Sequence, residues 1–207
     1  TANLFRIRAY FQQQKNNLVI TVKPLSFKLE SYVKLVETYF PGRDVSGELT
    51  ERIWRFLIYT TIAEQMHATT PARPSYHECT DMERELVEYV ESNLDIVCGD
   101  FGDKIDYIYE QLCGLAVEGK NPKRVLKMIF DEHLSRLIRL LRGVLRPYQR
   151  VILLVDNLDK AWELGRDIEA QSKIIYGLLG FQNTLEHDLQ WPKGETRLLV
   201  FLREDIF

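Results

Sequence analysis

The chain has 207 residues, of which 45% are hydrophobic and 28% are charged, and its formal net charge is −3. This is the composition of an ordinary globular domain, and it excludes a disordered tail, a collagen-like chain and a disulfide-dense miniprotein. The small negative charge does not suggest a protein that coats nucleic acid. No run of about 18 apolar residues occurs, so we expect no transmembrane helix and no membrane partner.

The N-terminus and the cysteines bear on the cellular compartment. The first residues lack the apolar stretch of a signal peptide. Cys79, Cys98 and Cys113 are widely spaced and form no CxxC pair, which is typical of reduced thiols in a cytoplasmic protein. The sequence begins without Met and directly in helix-like residues, from which we expect a piece of a longer protein.

Three short apolar runs predict β-strands, at 18–22, 151–155 and 198–202. None of them alternates polar with apolar residues, which is typical of strands buried on both faces of a parallel sheet. The charged residue that follows the second run is Asp156, and the third run is followed by Arg203.

Most of the remaining sequence shows apolar residues at helical spacing. Thr80 with Glu83 forms a capping-box pattern that predicts a helix start, and a Pro-rich loop precedes it at 68–77. A turn is predicted at 191–194. The predicted helices cover 2–15, 28–40, 48–67, 81–95, 102–117, 122–146 and 167–188.

Strands separated by helices predict an α/β fold with a parallel sheet. The residues between the first two strands far outnumber those of one crossover helix. We therefore expect a core formed by 1–27 and 146–207, with a helical subdomain inserted over 28–145.

The strand ends carry the residue types of a nucleotide site. Ligands of open α/β sheets bind outside the carboxyl ends of the strands, and Mg²⁺ is held there by one or two carboxylates, phosphates and water. Asp156 is therefore a candidate Mg²⁺ ligand. Asp159 is a candidate for orienting a water molecule, or it caps the next helix. Arg203 is a candidate for contact with a γ-phosphate.

These segments resemble a known group of proteins. The segment 151–160 is similar to the Walker B segment of STAND and KAP-like P-loop ATPases, in which an apolar run precedes Asp-Asp-Leu-Asp and a basic residue. The segment 198–207 resembles their sensor-1 strand, which ends in an Arg. Bacterial members of this group also show segments similar to 17–24, 32–44 and 54–59. The inserted part at about 69–120 carries no motif of this group.

The resemblance implies an incomplete P-loop NTPase core of the ASCE type, with the helical insertion between its second and third strands. In that sheet order, 151–155 lies between 18–22 on one side and 198–202 on the other. The missing strand that leads into the phosphate-binding loop lies beyond 198–202. The implied cofactors are ATP and Mg²⁺, with GTP not distinguished, and the implied role is a signalling or assembly switch, in some relatives for bacterial defence.

Two departures from the group concern the site. The sequence contains no Gly-x-x-x-x-Gly-Lys-Ser/Thr loop, which would cradle the phosphates. The resemblance implies that Thr1 is the last residue of that loop and a Mg²⁺ ligand. Otherwise Thr1 is an ordinary helix cap. Asn157 stands in the cofactor-binding segment where many relatives have a second acid. Because Asn is no general base, hydrolysis is expected to be slow, or Asp159 takes that part.

Two other classes of function stay open. One is a non-catalytic interaction module with a degenerate nucleotide site, in which the helical insertion is a docking surface. For the ATPase as well as for this module, we expect a homo-oligomer or a partner protein. The other is a nucleic-acid-binding regulator, because the predicted helix around 122–150 is rich in Lys and Arg. Such a run is more often a solvated helix face. Arg139, Arg142 and Arg146 are also candidates for an arginine finger between subunits.

Overall fold

The structure is a computed structural model that describes residues 2–23, 32, 34, 38, 43–70, 79–117, 122–158 and 168–202. The described helices and strands are α1 (Ala2–Gln12), β1 (Asn17–Val22), α2 (Arg43–Thr69), α3 (Asp81–Glu91), α4 (Leu94–Val97), α5 (Phe101–Val117), α6 (Pro122–Val144), β2 (Arg150–Val155), α7 (Ile168–Asp188) and β3 (Glu195–Val200).

The three strands form one parallel sheet in the order β1-β2-β3. Val22, Val155 and Val200 are in register at the carboxyl edge of the sheet. The predicted α/β fold with a parallel sheet is confirmed, and so is the central position of 151–155 between the other two strands.

The predicted bounds of the third strand were wrong by several residues. The strand begins at Glu195, because its N–H donates to the carbonyl of Gln149 (3.1 Å) and opens the ladder with β2. The strand ends at Val200, and only the N–H of Phe201 continues the pairing, to Val155 (2.8 Å). Apolar character alone marks the apolar end of a strand and misses its polar start, here Glu195-Thr196-Arg197.

Burial on both faces is complete only in the central strand. Five successive residues of β2, from Val151 onward, are buried, whereas buried and half-buried residues alternate along β1. One face of the sheet packs against the helices in one large apolar core. On the other face, Leu4 of α1 packs against Ile152 and Leu154. Since α1 is short, it leaves the outer strands partly open, so the expectation of strands buried on both faces was right for β2 alone.

Most predicted helices are present with bounds shifted by a few residues, and the capping box at Thr80 and Glu83 is confirmed. The helix predicted at 81–95 is instead divided into α3 and α4. The side chain of Asn93 donates to the carbonyl of Tyr89 (2.7 Å) and so satisfies a carbonyl at the end of α3. Of the helix predicted at 28–40, only positions 32, 34 and 38 lie within the described residues, and they are helical.

The long helix α2 joins the helical segment to the sheet. Trp54 is fully buried, and its indole N–H donates to the carbonyl of Ile174 in α7 (2.8 Å). The described helices share one apolar core with the sheet, and the division into core and inserted subdomain stays a prediction. None of the described helices is long and apolar enough to span a bilayer.

A buried polar cluster also fixes α2 against α7. The guanidinium of Arg55 donates to Asp188 (2.6 Å), and the hydroxyl of Tyr59 donates to the same carboxylate oxygen (2.8 Å). Burial raises the pKa of the Tyr59 hydroxyl far above its ordinary value, and the negative charge of Asp188 adds to the effect. The folded protein therefore holds Tyr59 neutral at a pH where an unfolded tyrosine ionises.

We predict that Tyr59 makes the protein lose stability above about pH 10. The unfolded chain releases this proton near pH 10 while the folded chain keeps it, so the free energy of unfolding falls by about 1.4 kcal/mol per pH unit for this group. Urea denaturation between pH 8 and 11 should show a smaller decline in Tyr59→Phe than in the wild type. The matched control is Tyr10→Phe, at a tyrosine that is 61% exposed, and an equal effect of both substitutions would contradict the assignment.

Candidate functional site

Asp156 follows the last residue of β2 and is only 5% exposed. Its backbone N–H donates to the carbonyl of Val22 (3.1 Å), which fixes it at the end of β1 as well. A buried carboxylate is costly unless hydrogen bonds or a nearby cation compensate for lost hydration. Asp156 lies where the sequence predicted it, at the carboxyl edge of the central strand.

One oxygen of this carboxylate lacks a hydrogen bond. Oδ2 of Asp156 is fully buried and accepts none within the part of the chain that the structure describes. Nζ of Lys23 lies 3.3 Å from it, which is longer than the 2.7–2.9 Å or so of a well-formed bond between an ammonium and a carboxylate. We therefore read the contact as an ion pair without a good hydrogen bond, which leaves coordinating capacity on Oδ2.

Lys23 is the site residue that sequence reasoning missed. It follows the last residue of β1 just as Asp156 follows the last residue of β2, and Val22 and Val155 are in register. Parallel pairing therefore brings the two side chains together. The available signal was the charged residue directly after each of two apolar runs.

The start of α1 lies at the same edge of the sheet. The ammonium of Lys23 is 5.0 Å from the ring centroid of Phe5, and Leu4 packs on the end of β2. The first amide groups of a helix have no acceptor within the helix and carry a partial positive charge. The edge thus combines a buried carboxylate, an ammonium and a helix start, which suits a hydrated cation together with an anion.

Asn157 occupies a tight turn directly after the carboxylate. Its φ is 70°, in the left-handed region that Asn tolerates better than most residues. The turn sends the next side chain, Leu158, back into the core, where it is 4% exposed. Asn157 is half-buried beside Asp156, and its role as a cofactor contact stays a prediction.

The other predicted site residues lie outside the described residues. These are Thr1, Asp159 and Arg203, and their roles also stay predictions. Among the residues that the structure describes, no group of three or more His, Cys, Asp or Glu side chains is arranged to hold a metal ion. Among the described residues, a divalent cation at this edge would thus have the Asp156 carboxylate as its ligand. Water would complete its coordination, since Mg²⁺ usually keeps several water molecules.

A cavity of about 610 Å³ lies at the opposite, amino edge of the sheet, lined by residues that include Arg146, Arg150 and Lys193. The guanidinium of Arg150 already donates to Glu195 (2.6 Å) and to the side chain of Gln14 (3.1 Å). Its charge is therefore compensated within the chain. Ligands of open α/β sheets bind at the carboxyl ends of the strands, so position favours the Asp156 edge as the candidate functional site.

Three arginines of the basic helix α6 also have partners inside the chain. Arg136 lies 5.2 Å from the ring centroid of Tyr89, and Arg139 pairs with Glu85, whose pKa it lowers. Nε of Arg142 donates to the carbonyl of Asp188 (2.5 Å), where a cation stabilises the C-terminal end of α7. These contacts give three basic residues of α6 partners within the chain, and the nucleic-acid and arginine-finger interpretations stay predictions.

Comparisons of the chain with protein-family models, with curated proteins and with solved structures found no match. The resemblance to STAND and KAP-like ATPases therefore stays a prediction.

We predict that Lys23 and Asp156 are energetically coupled. Lys23→Met leaves a buried carboxylate without its counter-ion and should lower the free energy of unfolding by about 1–3 kcal/mol. Asp156→Asn leaves an ammonium whose side chain is one-third exposed and should cost less, about 1 kcal/mol or below.

The double variant tests this coupling by urea denaturation. In the Asp156→Asn background, Lys23→Met should cost little, because no buried charge remains to compensate. An equal cost of Lys23→Met in both backgrounds would show that the pair is not coupled.

Proposed function

We propose that this chain is part of a P-loop ATPase that binds ATP with Mg²⁺ and uses hydrolysis as a signalling or assembly switch. The observation that carries the proposal is the Asp156 carboxylate. It is buried at the carboxyl end of the central strand of a parallel sheet, and Oδ2 has no hydrogen bond within the described chain. An oxygen ligand in that position suits Mg²⁺.

The roles of the residues follow from their positions and from the resemblance. Asp156 would hold the hydrated metal, with Asn157 beside it. Thr1 would be a second ligand, Asp159 would orient the attacking water and Arg203 would sense the γ-phosphate. Mg²⁺, when bound, supplies positive charge that neutralises the phosphate oxygens. The switch role and the link to bacterial defence rest on family analogy alone.

The order of the strands supports the same proposal. β2 lies between β1 and β3, and in the part of the chain described here the outer edge of β3 pairs with no further strand. That edge is where the resemblance expects the strand of the phosphate-binding loop. The resemblance alone implies that this loop, which the sequence lacks, precedes Thr1.

The ion pair between Lys23 and Asp156 favours a second candidate function. It supplies the buried carboxylate with a cation from the protein itself (3.3 Å), so the edge is compensated without a metal ion. A non-catalytic interaction module, acting as a homo-oligomer or with a partner protein, would retain such a pair permanently. The two candidates differ in whether ATP with Mg²⁺ binds at all.

We predict that the chain, extended upstream to include the phosphate-binding loop, binds ATP only with Mg²⁺. Asp156→Asn keeps the size of the side chain but removes its charge, and it should weaken the binding of Mg²⁺ with ATP roughly 10- to 100-fold. Calorimetry measures the binding, and Asp106→Asn, at an exposed residue of α5, is the matched control.

Two outcomes of this experiment distinguish the ATPase proposal from the assignment of Asp156 to the metal. An extended wild-type chain that binds no ATP would refute the ATPase proposal and leave the interaction module. If the chain binds ATP and Asp156→Asn hydrolyses it as fast as the wild type, the assignment of Asp156 to the metal is wrong.

We also predict that Asn157→Asp accelerates hydrolysis, roughly 10- to 100-fold, because it supplies a carboxylate that acts as a general base. Asp tolerates the left-handed backbone as Asn does, so the turn should be kept. The steady-state rate at saturating ATP is the measurement, and Asn157→Gly, which keeps the turn without a side chain, is the control. A rate unchanged in Asn157→Asp but abolished in Asp159→Asn would assign the base to Asp159 instead.

A further inference from the structure

Lys23 holds a positive charge where the buried carboxylate of Asp156 still has coordinating capacity. Its Nζ lies 3.3 Å from Oδ2, the oxygen that accepts no hydrogen bond from the described residues. We propose that Lys23 is an exchangeable counter-ion that occupies the cation position beside Asp156 until a divalent cation displaces it. This inference rests on the proposed function, since it concerns the regulation of the same site.

The burial of Asp156 makes the two cations competitors. Its side chain is 7% exposed, so only a small part of the carboxylate is open to any ligand. A divalent cation and an ammonium within about 4 Å of the same oxygen repel each other strongly at the low dielectric of a partly buried site. Occupation by one therefore lowers the affinity for the other.

The contact of Lys23 is weak enough to be exchanged. The distance is long for a charge-assisted hydrogen bond, and a third of the Lys23 side chain is exposed. Lysine carries its charge on a flexible four-carbon stem, so the ammonium can leave without movement of the backbone. A divalent cation that takes the place of the ammonium keeps the buried carboxylate compensated, so the exchange avoids the cost of leaving that charge unpaired.

The ring of Phe5 offers the ammonium a second contact. It lies 5.0 Å from Nζ, and Phe5 itself is 58% exposed at the start of α1. A cation over an aromatic face is attracted by the ring electrons. Lys23 can thus leave Asp156 and still keep its charge at the edge where an anionic ligand would arrive.

The test measures how much Mg²⁺ the extended chain needs to bind ATP. A fluorescent ATP analogue reports binding while free Mg²⁺ is varied. We expect the half-saturating Mg²⁺ concentration to fall about two- to fivefold in Lys23→Met, since the competing cation is gone. Lys23→Arg retains a cation and should resemble the wild type. Lys15→Met, at an exposed lysine in the turn before β1, has the same change of charge and should have no effect.

An unchanged or increased requirement for Mg²⁺ in Lys23→Met would overturn the inference. An increase would mean that Lys23 assists binding instead of competing with it. A wild-type chain that shows no Mg²⁺-dependent ATP binding would refute the proposed function itself, which is a different result.

A second measurement uses the wild-type chain, so its result does not depend on whether a variant folds. Acetylation of lysines in the wild-type chain can be followed by peptide mass spectrometry at increasing Mg²⁺ without nucleotide, so that no phosphate shields the amine. Displacement predicts that the rate at Lys23 rises relative to the rate at Lys15 as Mg²⁺ is added. A constant ratio would overturn the inference.

Discussion

The burial of β2 on both faces is the constraint on which the rest of the structure depends. Its residues from Val151 to Val155 are buried, and each edge of the strand pairs with a neighbour. No charged side chain fits within such a strand without a large cost in hydration. The first charged residue after this buried run is Asp156, which is itself only 5% exposed and therefore depends on Lys23 as a nearby cation. The position of the candidate site thus follows from the packing of the sheet.

The helices maintain this burial by polar contacts as well as apolar ones. Arg55 and Tyr59 of α2 both bond to Asp188 at the end of α7, and Arg142 of α6 donates to the carbonyl of the same residue. Three helices thereby meet at Asp188, the last residue of α7. Because an unpaired buried charge is much more costly than a paired one, the cluster specifies the relative positions of these helices. Arg142 of the arginine-rich helix α6 thus has a use inside the protein.

The sequence predicted those features that depend on local pattern. Apolar runs located the strands and periodicity located most helices, since both signals arise from burial on a regular backbone. The central position of 151–155 came from family resemblance instead. Features that depend on a partner distant in the chain were missed. The polar start of β3 depends on Gln149, the use of Arg142 depends on the end of α7, and the contact of Lys23 with Asp156 depends on register. Register was available only after the strands had been paired.

The charge pair at the edge of the sheet bears on whether the site is functional. Replacing a buried ion pair by apolar residues of similar volume is often neutral or stabilising, so stability alone gives little reason for a lysine and an aspartate at this point. The adjacent turn adds a second local cost, because Asn157 adopts a backbone conformation with φ of 70°, which is unfavourable for most residues other than glycine. Both features occur at the end of the fully buried strand β2, beside the start of α1. The ion pair beside a carboxylate oxygen without a hydrogen bond, and the positive φ of Asn157 next to it, are thus the observations on which the proposed ligand site rests.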